Sequence, residues 1–269
     1  MQADEPAGRV LVIAGSDSGG GAGIQADIKA ISAMGGYAAT AITAITVQNT
    51  LGVSAIHPVP LAIVEGQIRA VLDDIGADVV KTGMLATVEI VELVAAVLEA
   101  ADPAIPLVLD PVMIATSGDR LVDDGTEAAI RERLVPLATL VTPNAAEAAR
   151  LTGLTVEDVQ GQLAAAEALV GMGARAALVK GGHLGGDAVT DVLVSTRGME
   201  LMERPRIRTK HTHGTGCTLA SAIAARMAGG EPLPEAVRKA GDYLHEAIRR
   251  APGFGAGHGP VDHMWVVRP

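Results

Sequence analysis

Short runs of branched aliphatic residues alternate with longer alanine-rich segments whose apolar positions recur at helical spacing. Residues 9–15 (RVLVIAG) read as a strand buried on both faces, and 22–34 as the helix that follows it. A strand over 39–47 precedes a helix over 61–73, then 78–82 leads into 89–100 and 107–110 into 127–134. The alternation continues with a strand at 140–142 and helices over 145–151 and 156–172, then a strand at 176–180. Strands this apolar, each followed by a helix, predict an α/β fold: a central, mostly parallel sheet covered by helices on both faces. Residues 189–195 and 199–203 flank Arg197-Gly198 and predict a hairpin, hence an antiparallel edge. Two helices, 215–228 and 234–251, close the pattern. No internal repeat or Ser/Pro-rich linker interrupts it, which predicts one domain over 1–269, with polar residues 1–8 as a disordered tail.

In open parallel sheets, ligands bind at the carboxyl ends of the strands. Polar residues fall at just those points: Gly15-Ser16-Asp17, Gln48, Thr82-Gly83-Met84, Asp110, Asn144 and Lys180. Six strand ends facing one rim carry more weight than any single motif.

Composition narrows what this rim can bind. The 269 residues carry a net charge of −10, and Phe, Trp and Tyr total four. Nucleic acids and anionic membranes need a basic footprint, and single-stranded nucleic acids need aromatic platforms, so neither is the expected partner. A local phosphate site remains compatible with an acidic protein. Cys217 is the single cysteine, so an internal disulfide and a Cys-rich zinc cluster are excluded. Residues 1–8 show no basic segment leading into an apolar one, and the charge-poor stretch 30–64 is broken by glycines, polar residues and two prolines. A cytoplasmic protein without a membrane span is expected.

The loop GSDSGGGAG over 15–23 joins the first strand to the first helix, where glycines present backbone N–H groups to a ligand or form a plain turn. Residues 21–26 also satisfy the relaxed dinucleotide pattern, but no acid follows between Asp27 and Glu65 to hold a ribose, which weighs against that reading. Gly-Lys is absent, so there is no Walker-type phosphate loop. A Gly-x-Ser-x-Gly elbow is also missing. Residues 211–217 (HTHGTGC) are the candidate anion site instead: Gly214 and Gly216 stand at the start of an alanine-rich helix whose free N–H groups would converge, the alternative being an ordinary glycine-rich helix start. His211 and His213 lack a third ligand for a metal site. Cys217 there is either a thiol acidified by the helix dipole or a small packed residue. Asn144 and Glu147, three apart, suit a hydrated Mg²⁺ or a helix cap. Asp27 is either a rim carboxylate or an ordinary helix residue. Asp110 adds a carboxylate, and Lys180, one of five lysines, ends an apolar strand where it would neutralise phosphate.

Together, the stretches 14–27, 43–50, 81–84, 109–112, 142–147, 179–183, 212–217 and 257–261 resemble the ribokinase superfamily of small-molecule kinases. Within it they are similar to the hydroxymethylpyrimidine and phosphomethylpyrimidine kinases of thiamine biosynthesis, over about 9–262. The resemblance implies a ribokinase-like fold, ATP as cosubstrate and Mg²⁺. It implies phosphorylation of 4-amino-5-hydroxymethyl-2-methylpyrimidine, then of the monophosphate to the diphosphate. Gln48 matches the position that hydrogen-bonds the pyrimidine, and Gly15, Asp27, Met84 and Val112 the pocket lining. Asn144, Lys180 and Thr215 match ATP contacts. Asp110 and Glu147 match the acidic cluster that governs Mg²⁺ through water. Gly214, Gly216, Cys217 and Lys180 match the catalytic group, with cysteine where most of the superfamily has an aspartate base. A homodimer is also implied. Two alternatives stay open: a pyridoxal kinase in which Cys217 adds to the substrate aldehyde, and a catalytically silent ligand sensor on the same fold.

Overall fold

Alternate residues of β1 (Arg9–Asp17) enter two different cores: Leu11 and Ile13 one, Val10, Val12 and Ala14 the other. A strand buried on both faces needs apolar side chains at every position, hence the unbroken run. The computed structural model describes residues 8–101 and 103–268. Eight further strands join β1: β2 (Tyr37–Gln48), β3 (Val53–Pro58), β4 (Val79–Thr82), β5 (Leu107–Leu109), β6 (Leu140–Val141), β7 (Ala176–Val179), β8 (Ala188–Ser195) and β9 (Gly198–Pro205). Their order is β3-β2-β1-β4-β5-β6-β7-β8-β9, parallel from β2 to β7 and antiparallel at both ends. Helices α1 (Gly23–Ala33), α7 (Thr215–Ala228) and α8 (Leu233–Arg249) cover one face. The other face carries α2 (Leu61–Ala70), α3 (Val88–Ala100), α4 (Asp124–Ala129), α5 (Ala145–Thr152) and α6 (Val159–Gly171). The fold is α/β, a mostly parallel sheet covered by helices on both faces, as the pattern predicts.

Local chemistry explains where boundaries differ from the pattern. Strand β3 falls outside it: its side chains are mostly exposed and include Ser54 and His57, so it lacks the apolar run of a buried strand. It gives the sheet a second antiparallel edge. Helix α4 starts before the expected 127–134 because the Asp123 carboxylate accepts from Thr126 N, and the segment widens to a π-helical turn over 130–134. Helix α6 starts after residue 156 because Asp158 caps it, accepting from Gly161 N. Residues 1–7 of the expected tail lie outside the described residues. Gly8 belongs to the fold, its carbonyl accepting from Tyr37 N at 2.9 Å.

Because β1 pairs with β2 on one side and β4 on the other, the strand order reverses there and a crevice opens at the carboxyl ends. Beneath it lies Lys81 of β4, 0% exposed, its Nζ donating to Asp27 Oδ1 of α1 at 2.8 Å. Ser221 of α7 donates to the same oxygen at 2.7 Å. One buried ion pair thus joins the sheet to α1 and α7, two of the helices that start at the crevice.

After α8 the chain runs back over the crevice. Gly259 O accepts from His213 N at 3.1 Å, and His258 N donates to Thr50 O at 2.8 Å. The segment is anchored by buried His263, whose Nε2 lies 2.9 Å from Thr218 Oγ1. The Tyr243 hydroxyl donates to His263 O at 2.7 Å. Burial, assisted by the charge of Lys29, pushes the His263 pKa from 6.5 down to about 4. The stability that depends on its neutral form is therefore full above about 6.5 and is lost as pH falls toward about 4, because the unfolded chain takes up the proton first. Relative to His263→Gln, the parent should lose stability over that interval with a slope of about one proton, read from urea unfolding at stepped pH. A difference that does not vary with pH would contradict the buried neutral imidazole.

Candidate active site

A cavity of about 470 Å³ follows the carboxyl ends of the parallel strands. Gly15, Gln48, Met84 and Val112 line it on the β1–β2 side, and Asp110, Asn144, Glu147, Lys180 and residues 214–217 line its middle. Toward β9 and α8 it is walled by His183, Asp191, Arg206, Leu244 and Ile248. All but one of the residues expected at the site therefore meet in one cavity.

The exception is Asp27. It is fully buried below the cavity, spent on Lys81 and Ser221, and does not line the pocket. An unbroken helix turn carries it under the sheet rather than up to the rim. Burial opposes the Lys81 charge, but the carboxylates of Asp27 and Asp110 outweigh it and hold the ammonium above its ordinary value.

The glycine loop also departs from expectation. Its N–H groups do not open toward a ligand but turn inward onto Asp17, whose carboxylate accepts from Gly19 N at 2.8 Å, Gly21 N at 3.0 Å and Ala22 N at 2.8 Å. A fourth contact, 2.9 Å, comes from His213 Nε2. Burial opposes the Asp17 charge, but the hydrogen bonds from His213 and Ala22 win and hold the carboxyl below its usual range. What the loop does present is position. The β1–β2 register shifts between Ala14 and Ser16, and Ser18 brackets Gln48, donating to its O at 2.8 Å and accepting from its N at 2.9 Å. The Gln48 carboxamide thus stands at the rim with only Thr46 Oγ1, at 3.1 Å from Oε1, as its side-chain partner among the described residues.

Helix α7 begins at Thr215, with Gly214 as its cap in the left-handed region at φ 77. A Cβ on Gly214 would lie 1.8 Å from Gly21 O, so the two loops touch through backbone alone. A Cβ on Gly216 would stand 3.1 Å from Lys180 Nζ, leaving the first turn open to the Lys180 ammonium. Lys180 Nζ donates to Asp110 Oδ1 at 3.1 Å, and Thr142 Oγ1 donates to the same oxygen at 3.1 Å. Burial opposes the Lys180 charge, but Asp110 and Glu147 hold it above its ordinary value. The positive helix end and a fixed ammonium thus face the cavity together, an arrangement whose charge suits an oxyanion.

Cys217 lies in that first turn, but its thiol is not acidified as the helix dipole suggested. Burial pushes it up to about 12; Lys81 favours the thiolate, while Asp27 and Asp110 oppose it. The thiol therefore faces the cavity protonated at neutral pH.

Asn144 and Glu147 form a complete capping box at the start of α5: Asn144 Oδ1 accepts from Glu147 N at 3.0 Å, and Glu147 Oε2 from Asn144 N at 2.8 Å. Burial, then the charge of Asp110, pushes the Glu147 carboxyl up to about 7 against the pull of Lys180. Asp110 Oδ2 is buried without a hydrogen-bond partner among the described residues.

Sequence reading missed the importance of Asp17, Lys81, His213 and Arg206. Arg206 donates to the carbonyls of Gly182 at 2.7 Å, Leu184 at 2.6 Å and Gly186 at 2.9 Å, shaping the loop after Lys180. The first three sit inside the motif stretches, but their partners are 196 positions away for Asp17 and 54 for Lys81, where local spacing carries no signal.

The profile of the phosphomethylpyrimidine kinase family matches residues 17–262. The chain is 48% identical over 258 residues to the hydroxymethylpyrimidine/phosphomethylpyrimidine kinase of Streptomyces coelicolor, covering 96% of this chain and 95% of that protein. It is 51% identical over 260 residues to the thiamine biosynthesis bifunctional protein ThiED of Geobacter sulfurreducens. That match covers 96% of this chain, which spans about half of that relative, 53% of its length. Among solved structures, the pyridoxal kinase of Staphylococcus aureus in complex with AMP-PCP and pyridoxal superposes with a TM-score of 0.89 at 34% identity, covering 97% of this chain and 95% of that one. The phosphomethylpyrimidine kinase of Clostridium difficile superposes with a TM-score of 0.79 at 40% identity, covering 89% of this chain and 99% of that one. On sequence, architecture and the residues gathered at the crevice, the chain belongs to the phosphomethylpyrimidine kinase family.

Proposed function

We propose that the protein transfers the γ-phosphoryl group of ATP to 4-amino-5-hydroxymethyl-2-methylpyrimidine and then phosphorylates the monophosphate to the diphosphate, in thiamine biosynthesis. One observation carries the reading: a carboxamide at one side of the cavity and an oxyanion site at its middle share one pocket. Gln48 offers a donor pair and an acceptor to the edge of an aminopyrimidine. Gly15, Met84 and Val112 supply apolar walls for the ring. This orientation sends the hydroxymethyl group toward residues 214–217. ATP enters from the β9–α8 side, where Leu244 and Ile248 suit a base and Asn144, Lys180 and Thr215 its phosphates. A cytoplasmic location goes with the use of ATP.

The acidic pair fits Mg²⁺ held through water, since the unpartnered Asp110 Oδ2 and the carboxyl of Glu147 behind it both gain from a nearby cation. The ion would neutralise charge on the transferring phosphate. The phosphoryl transition state is loose, with little bond formation to the attacking oxygen, so charge stabilisation matters more than a strong base. That agrees with a protonated Cys217: the thiol contacts the alcohol while α7 and Lys180 take up charge on the phosphoryl oxygens. Cysteine lining the cavity, with the superposition on pyridoxal kinases, also favours a second reading in which pyridoxal is phosphorylated.

We also propose that a second copy covers the outer face of the β2–β3 edge. Ile45, Val47, Leu51 and Ile63 are exposed there, Val47 at 59% and Leu51 at 68%. Sedimentation should give a dimer for the parent and a monomer for Ile45→Glu/Val47→Glu; a monomeric parent would remove this interface.

A mass-resolved assay with ATP, Mg²⁺ and the hydroxymethylpyrimidine should show monophosphate and then diphosphate. Arrest at the monophosphate leaves a single-step kinase, preference for pyridoxal supports the second reading, and ligand binding without any product leaves a sensor. Gln48→Ala should weaken pyrimidine binding by about 1–3 kcal/mol, measured by calorimetry, and unchanged affinity would mean the ring sits elsewhere. Lys180→Ala should lower kcat more than it raises the KM for the pyrimidine, and the reverse pattern would remove Lys180 from the phosphoryl path.

A further inference from the structure

Asp17 and His213 occupy the point where the two halves of the site meet. Asp17 is 2% exposed and His213 6%. On one side, the loop closed by Asp17 carries Ser18, which brackets the backbone of Gln48. On the other, His213 is followed directly by Gly214, the cap of the helix that forms the oxyanion site. Their 2.9 Å contact joins a loop near the start of the chain to one near its end, and a Cβ on Gly21 would lie 2.4 Å from His213 Cδ2. Among the described residues no other side chain bonds to the Asp17 carboxylate; its remaining partners are the loop's own N–H groups.

Phosphoryl transfer depends on the distance between the acceptor oxygen and the phosphorus, and an error of about 1 Å costs about a hundredfold in rate. The acceptor is held by Gln48 and the phosphoryl group by α7, elements with no covalent continuity near the site. We propose that the Asp17–His213 pair is a positioning element that sets the spacing between the substrate handle at Gln48 and the phosphoryl site at 214–217. It acts on turnover rather than on the binding of either substrate. Both residues line the cavity, and the role assigned to them is to hold the two loops rather than to act on the phosphoryl group. The inference rests on the kinase reading for its kinetic consequence, while the coupling between the two loops does not.

The test uses the full chain in two measurements. In steady-state turnover with ATP, Mg²⁺ and the hydroxymethylpyrimidine, His213→Ala should lower kcat about 10–100-fold and leave both KM values within about threefold. His213→Gln, whose amide reaches the Asp17 carboxylate, should recover most of the loss. Asp17→Asn combined with His213→Ala should cost no more than the worse single change, as for two residues acting as one unit. Hydrogen exchange followed by mass spectrometry reads the coupling without turnover: His213→Ala should speed exchange over 17–23, and Asp17→Asn over 213–218. A kcat within twofold of the parent in His213→Ala would overturn the proposal. So would KM values rising without rescue by His213→Gln, or exchange confined to the mutated loop. If the parent itself forms no phosphorylated pyrimidine while the exchange effects are reciprocal, the kinase reading falls and the coupling stands. Normal turnover in the parent with no reciprocal exchange in the variants removes the coupling and leaves the kinase reading in place.

Discussion

A single buried ion pair sets the floor of this site. Lys81 is fully enclosed on a central strand, and its ammonium is tolerated only because Asp27 of α1 lies 2.8 Å away; Ser221 of α7 donates to the same carboxylate oxygen. Isolated charges are very unfavourable in such surroundings, and removing one partner of a buried pair typically costs about 3–5 kcal/mol. The pair therefore constrains three elements at once: β4, whose end forms the rim, and the two helices whose N-termini face it. The loops that open α1 and α7 meet through the backbone of Gly21 and Gly214, so both helix starts converge above the pair.

This convergence reconciles an acidic protein with an anionic ligand. The chain carries −10 overall, yet the centre of the cavity holds Lys180, the start of α7 and, just beneath, Lys81. Local geometry outweighs net charge because a partly enclosed ammonium acts over a few ångströms through a poorly screening medium, whereas surface carboxylates are screened within about 8–10 Å. The carboxylates at the site are themselves committed: Asp110 to Lys180, Glu147 to the α5 cap and Asp17 to its own loop. Most other ion pairs, such as Arg238 with Glu235 or Arg131 with Glu132, are exposed and contribute little.

Burial is the common factor in the departures from expectation. Asp27 sits one turn into a helix whose inner face turns under the sheet, so the resemblance that made it pocket lining places it one layer too high. Cys217 has the helix-start position that lowers a thiol pKa, but enclosure beside Asp27 and Asp110 raises it further than the dipole and Lys81 lower it. In the glycine loop, three N–H groups suited to an anion already hold one, the carboxylate of Asp17.

Hydrophobic period and strand-end chemistry are local properties of the chain, and they suffice to set the layers, the direction of the central strands and the rim at which polar residues gather. Apolar runs 10–12 and 107–109 read as doubly buried strands, and Gly214 before an alanine-rich segment reads as a helix start. Strand β3 stays hidden at that level because an exposed edge imposes no apolar pattern. Which polar groups reach the cavity and which are spent below it is settled only on folding. Asp17 with His213 and Asp27 with Lys81 are 196 and 54 positions apart. Their protonation and roles depend on enclosure and on partners that the folded chain supplies from its far parts.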